Sequence, residues 1–145
     1  MKIVIDADAC PVTRIAEGMA KEYGIPCTLV FDTAHIMNSD YSTVITVDKG
    51  ADSADYKIVN LLSRGDIVVT QDYGLAAMCL SRGACVINQN GMVYDDGNID
   101  GLLFSRAAAS KVRRAGGRIR GPKKRDPSQD AAFEQRFRKI IEDVI

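Results

Sequence analysis

Two aspartates stand one residue apart where the first apolar run of the chain ends, Asp6 and Asp8 in KIVIDADACP. Asp48, Asp52 and Asp55 follow a later run in TVDKGADSAD, and Asp72 follows another in DIVVTQDYGLA, two residues after Thr70. Some of these acids have a local use. Asp72 precedes a helix and fits an N-cap, worth roughly 0.5–2 kcal/mol over Ala, and Asp52 with Asp55 fits a capping pair that favours the helix dipole. Capping leaves Asp6 and Asp8 unexplained together, since one acid suffices for the helix that Pro11 begins. Asp55 falls at helical spacing with Ile58, Val59 and Leu62, so it heads an apolar face turned toward the rest of the fold. Crowded carboxylates raise one another's pKa values, and a divalent cation relieves them. Oxygen-only ligation favours Mg2+ or Mn2+ over zinc. Such an ion activates water and neutralises a phosphoryl transition state, so the chemistry implied is phosphodiester hydrolysis.

That chemistry requires the acids to meet. The runs KIVI (2–5), CTLVF (27–31), TVITV (43–47), DIVVT (66–70) and ACVIN (84–88) are apolar and rich in β-branched residues. They read as strands of a parallel sheet covered on both faces. Helical segments alternate with them at 11–23, 53–64 and 74–82, punctuated by Pro11 and by Gly24, Gly65 and Gly83. The pattern predicts an α/β layered fold with right-handed crossovers, in which ligands bind outside the carboxyl ends of the strands. Asp6, Asp8, Asp48, Asp52, Asp55 and Asp72 all follow strand ends and converge on one rim if those strands are neighbours. Residues 91–98, GMVYDDGN, read as a small hairpin or a loop with a turn at DDGN. Residues 99–115 read as a helix, and Asp126-Pro127 opens a last one. Phe133, Phe137, Ile140, Ile141 and Val144 lie at helical spacing in it. This stripe suits docking onto the body, with a homodimer contact as the alternative. The organisation expected is one domain, 1–145, with a basic loop 111–127 and a C-terminal helix 128–145 as its extension.

Composition narrows the function classes. The 145 residues, 46% hydrophobic and 26% charged, match a globular domain with its own core. No apolar run reaches the roughly 18–20 residues a membrane span needs, and the amino terminus does not read as a signal peptide. A cytoplasmic protein without a membrane partner is expected. Cys10, Cys27, Cys79 and Cys85 contain no C-x-x-C pair and read as reduced apolar residues. His35 is the only histidine, which argues against a zinc site.

Zero net charge hides an asymmetry. Residues 1–105 carry 14 acids against 7 Lys/Arg, whereas residues 106–145 carry 5 acids against 12. Within the second part, KVRRAGGRIRGPKKR (111–125) holds Lys111, Arg113, Arg114, Arg118, Arg120, Lys123, Lys124 and Arg125 with no acid. Such a stretch binds phosphate backbones through counterion release, and its arginines grip phosphate in a bidentate way. No aromatic residue interrupts it, so its contact with nucleic acid is expected to be blind to sequence. The plainer alternative is a solvated helix end and loop.

The motifs IVIDADACPV, TVDKGADSAD and GDIVVTQDYGLA, with the basic RGPKKR stretch and the F-x-x-x-F helix, resemble the YaiI/YqxD family of uncharacterised bacterial proteins. More loosely, the chain resembles the PIN-like (and NYN) nuclease superfamily. That resemblance implies a three-layer fold with a mainly parallel sheet and a clustered-acid site using Mg2+ or Mn2+. It implies metal-binding roles for Asp6, Asp8, Asp55 and Asp72, with Asp52 as a further candidate and the Thr70 hydroxyl supporting the site. The helical position carries Asp where the superfamily commonly has Glu. Asp95 or Asp96 is the candidate for a completing acid. The function expected is a metal-dependent nuclease acting on RNA.

Two other classes remain open. An apolar run ending in D-x-D also resembles haloacid-dehalogenase-type phosphatases, with Asp6 as nucleophile, Thr46 as their second motif and Asp95-Asp96 as their acidic one. A PIN-like RNA-binding module without a reaction is the other. Beside the acids, Tyr56 and Tyr73 suit either packing or a substrate border. His35 lies in a loop near the same edge, and Arg64-Gly65-Asp66 matches an adhesion tripeptide by chance.

Overall fold

The computed structural model describes residues 1–32, 38–48, 53–114, 116 and 124–145; for residues 106, 107, 109, 110 and 112–114 only the backbone is described. The elements follow the alternation of apolar runs: β1 (Ile3–Asp6), α1 (Thr13–Glu22), β2 (Cys27–Asp32), β3 (Thr43–Val47), α2 (Ser53–Leu61), β4 (Ile67–Val69), α3 (Tyr73–Ser81), β5 (Cys85–Ile87), β6 (Val93–Tyr94), α4 (Asp96–Arg114) and α5 (Pro127–Val144). The strands form one sheet in the order β3-β2-β1-β4-β5-β6. β1 to β5 pair in parallel and β6 runs antiparallel to β5. No described helix is long and apolar enough to cross a membrane.

Both faces of the central strands are covered, which is why their sequences read as unbroken apolar runs. Ile3, Ile5, Leu29, Phe31, Ile67, Val69 and Ile87 pack with Ala16, Met19 and Ala20 of α1 and with Phe133, Phe137 and Ile141 of α5. Val4, Val30, Val68 and Val86 pack on the opposite face with Ile58 of α2, Leu75, Ala76 and Cys79 of α3, and Ile99 of α4. The result is a three-layer α/β architecture. All four cysteines are free thiols, and burial pushes Cys27 up to about 11 and Cys79 to about 12, so both pack as neutral groups.

The stripe on α5 docks through Phe133, Phe137 and Ile141, which are fully buried, with Ile140 partly buried beside them, whereas Val144 at its end is exposed. Charged contacts hold the helix at both ends. Arg138 Nη1 donates to Glu22 Oε2 at 2.6 Å and to the Tyr23 hydroxyl at 3.1 Å. Arg125 donates to Asp130 Oδ1, to Asn90 Oδ1 and to the Gln89 carbonyl. The turn that Arg125 clasps joins β5 to β6: Asn88 Oδ1 accepts from the amides of Asn90 and Met92, each at 2.9 Å. Gly91 sits there at φ +89°, and a Cβ on it would stand 2.8 Å from the Ala132 carbonyl oxygen.

The hairpin therefore turns at 88–92, and DDGN is not a turn. Asp95 Oδ1 accepts from the Asn98 amide at 2.8 Å while Asn98 Oδ1 accepts from the Asp95 amide at 3.0 Å. That reciprocal pair opens α4 at Asp96, three residues before the expected start at 99. Residues suited to turns are equally suited to helix N-termini, because both use a side-chain oxygen to satisfy a local amide.

Candidate active site

The strand order reverses between β1 and β4: the chain leaves β1 toward β2 and leaves β4 toward β5. In open α/β sheets this switch point opens a crevice at the carboxyl ends of the strands. Asp6 is the last residue of β1 and Thr70 directly follows β4, so parallel pairing brings together two groups 64 residues apart in the chain. The buried Thr70 hydroxyl donates to Asp6 Oδ2 at 2.8 Å and accepts from the Asp72 amide at 3.0 Å. Asp72 Oδ1 in turn accepts from the Leu75 amide at 3.1 Å, capping α3. Asp8 Oδ2 accepts from the Asp32 amide at 3.1 Å, which ties the β1–α1 loop to the end of β2. Gln71 Nε2 donates to the carbonyl of Ala9 at 3.2 Å. Ala9 has φ 55°, a backbone region that costs a residue with a Cβ and is kept where surrounding contacts hold it.

These loops border a cleft of about 560 Å³ into which Asp6, Asp8, Asp32, Asp48, Asp55 and Asp72 are gathered, beside Gln71 and Tyr73. Among the described residues lining it, none is Lys or Arg. Burial raises the Asp6 carboxyl to about 6, and the charges of Asp55, Asp72 and Asp8 push in the same direction against the Thr70 hydrogen bond. Ionising Asp6 near neutral pH therefore costs free energy that a cation would recover.

Four of the acids singled out in the sequence, Asp6, Asp8, Asp55 and Asp72, thus share one cleft, with Thr70 beneath them and Asp48 alongside. Asp52 and His35 lie outside the described residues. Asp72 also caps its helix, so the plain reading and the functional one hold at the same residue. Two lining residues were missed. Asp32 ends β2 in CTLVFD as Asp6 ends β1 in KIVID, and that parallel was the available signal; Gln71 carried none.

Asp95 and Asp96 do not complete the cluster. Both are exposed where β6 meets α4, where Asp95 bonds Asn98, and neither lines the cleft. Thr46 is exposed on the edge strand β3 and does not line the cleft either; the hydroxyl that reaches Asp6 is that of Thr70. Asp66 of the Arg64-Gly65-Asp66 tripeptide is buried against Lys2. Tyr73 lines the cleft, whereas Tyr56 is 63% exposed outside it. In the basic segment, Lys111 and Lys124 are exposed and Arg125 is engaged in its clasp. Arg113 and Arg114 lie in the last turn of α4, and Arg118, Arg120 and Lys123 fall outside the described residues.

The acids share a space without meeting at one point. Among the described residues no three His, Cys, Asp or Glu side chains form a ready-made metal cage. Asp6, Asp8 and Asp72 are each aimed by a hydrogen bond of their own. An all-oxygen donor set of this kind suits Mg2+ or Mn2+ held directly by one or two carboxylates and otherwise through water, as Mg2+ commonly is.

Fold and cleft together define an α/β protein with an acid-lined crevice at the switch point of its sheet. A family model described as "Uncharacterized BCR, YaiI/YqxD family" matches residues 4–143, and the chain belongs to that family. A UPF0178 protein of Ruminiclostridium cellulolyticum is 58% identical over 135 residues, covering 93% of this chain and 88% of its own. UPF0178 proteins of Clostridium acetobutylicum and Exiguobacterium sibiricum are each 50% identical, over 143 and 141 residues, and cover 97% of this chain. Among solved structures, a mutant of Rae1 (YacP) from Bacillus subtilis matches over 99% of both chains with a TM-score of 0.44 at 16% identity.

Proposed function

We propose that the cleft is the active site of a Mg2+- or Mn2+-dependent nuclease that hydrolyses RNA phosphodiester bonds. The observation that carries this reading is Asp6: a carboxylate enclosed at the switch point, raised to about 6 by burial and by the acids around it. A structural carboxylate that is buried is normally matched by a cation or several amides, whereas among the described residues the hydrogen bond to this one comes from Thr70 alone.

Asp6 would hold the ion directly, and Thr70 would keep its carboxylate turned into the cleft. Asp8, Asp55 and Asp72 would supply a second carboxylate and acceptors for the ion's waters, and Asp52, three residues before Asp55 in the sequence, remains a candidate. A divalent cation bound there supplies Lewis-acid neutralisation of a phosphoryl oxygen and a water of lowered pKa. The exposed Lys111 and Lys124, with the bases between them, would hold the phosphate backbone without reading sequence.

The test is incubation of purified protein with end-labelled single-stranded RNA and Mg2+ or Mn2+. Cleavage that disappears in Asp6→Asn and Asp72→Asn while RNA binding is retained supports the reading. RNA binding without cleavage under either metal would leave a non-catalytic module instead. Stabilisation by an aspartyl-phosphate mimic that depends on Asp6 would point to phosphatase chemistry.

A further inference from the structure

We propose that Tyr73 is a stacking platform for one unpaired base, making the cleft selective for single-stranded over duplex nucleic acid. The inference rests on the nucleic-acid reading above and adds to it the part of the substrate that the acids cannot recognise.

Tyr73 is the first residue of α3, immediately after Asp72, whose hydrogen bond to the Leu75 amide fixes that end of the helix. It is the one aromatic among the described residues lining the cleft, and its side chain is partly buried. The ring meets that of Tyr94 edge-on, with centroids 6.2 Å apart and planes at 65°. Tyr94 is only 2% exposed and belongs to the core with Leu75 and Ile99, so Tyr73 is backed by a ring that cannot swing away. The Tyr94 hydroxyl is enclosed with no hydrogen-bond partner among the described residues. Burial and the nearby Asp72 charge keep that hydroxyl neutral. Packing alone would be served as well by Phe at that position.

An aromatic held beside a phosphate-directed site suits one ligand chemistry. Carboxylates and their cation recognise phosphate, while an exposed ring face offers a base a surface that every base can use. In a duplex both faces of each base are already stacked, so only an unpaired base can take the position. The basic stretch 111–125 contains no aromatic, so stacking must come from elsewhere in the chain. Tyr56 is the natural control, since it is 63% exposed one residue from Asp55 but does not line the cleft.

The experiment is fluorescence anisotropy with a labelled single-stranded oligoribonucleotide of about 12 residues, long enough for a typical single-strand site. Ca2+ replaces Mg2+ in the buffer to limit turnover. Tyr73→Ala should weaken binding roughly 5- to 100-fold, the usual loss for one stacked base. Tyr73→Phe and Tyr56→Ala should bind as the unmodified protein does, and the annealed duplex should bind weakly whatever stands at 73. Melting curves of the variants confirm that the helix is intact. Equal binding by Tyr73→Ala and the unmodified protein, or equal losses for single strand and duplex, overturns the proposal. The outcomes separate the two readings. Cleavage with a neutral Tyr73→Ala removes the platform and keeps the nuclease. Tyr73-dependent binding without cleavage does the reverse, and no RNA binding at all removes both.

Discussion

At the amino-terminal end of the β1–β4 pair, Asp66 is 1% exposed; at the carboxyl end, Asp6 is partly buried. Asp66 accepts from Lys2 Nζ at 2.6 Å, from the Lys2 amide at 3.0 Å and from the Ser63 amide at 2.8 Å. Burial alone would raise its pKa, but these donors and the Lys2 charge outweigh burial and hold it below the usual carboxylate range. Asp6 has a hydroxyl for its donor and acids for neighbours, and burial lifts it to about 6. One residue type at opposite edges of the same two strands thus serves opposite ends. Asp66 fastens the fold, while Asp6 is a charge the fold tolerates at a cost.

Breaking the fastened end should have the largest effect. Asp66→Ala strands the Lys2 ammonium and two amides, and should lower unfolding free energy by about 3 kcal/mol in urea titrations. The other end should respond with the opposite sign. A carboxyl raised in the folded state takes stability away as pH rises from its unfolded value of 3.8 through about 6. Asp6→Asn, measured in a chelator at pH 8, should therefore stabilise the protein by about 1–2 kcal/mol, and the gain should vanish near pH 4. A destabilised Asp6→Asn at pH 8 would erase the contrast. For Asp66 the sign reverses: its lowered pKa gives stability that is present above the unfolded value and lost as pH falls through the folded one.

Smaller changes refine the comparison. Lys2→Met leaves Asp66 its two amide donors, and because Lys2 is 27% exposed the loss should be about 1 kcal/mol. Thr70→Val removes the hydrogen bond that opposes the rise of Asp6. It should cost about 1 kcal/mol of stability and move the acid limb of any metal-dependent cleavage to higher pH, readable in a pH–rate profile.

The α/β architecture was legible in the sequence because β-branched runs, Pro11 and the glycines after each helix all point the same way. Strand order was not legible, and the site depends on it. Nothing in KIVIDAD or VVTQD says that β1 and β4 are neighbours, yet that pairing is what puts Thr70 on Asp6. Acids at strand ends were recognisable where a second group accompanied them, as Asp8 does Asp6 and Thr70 does Asp72, and missed where nothing did, as with Asp32. The residues DDGN were misjudged because reciprocal Asp95–Asn98 bonding starts a helix with the composition of a turn. Arg125 shows the limit of charge counting: it ends a basic run, but its guanidinium is held by Asp130, Asn90 and the Gln89 carbonyl.

The most direct measurement is calorimetric titration of Mn2+ into metal-free protein at pH 7.5, beside Asp6→Asn. The cleft should bind the ion, with a small proton release that completes the ionisation of Asp6, and Asp6→Asn should lose the binding. Absence of Mn2+ binding at millimolar concentrations, or equal binding by Asp6→Asn, would contradict a metal-dependent role for Asp6.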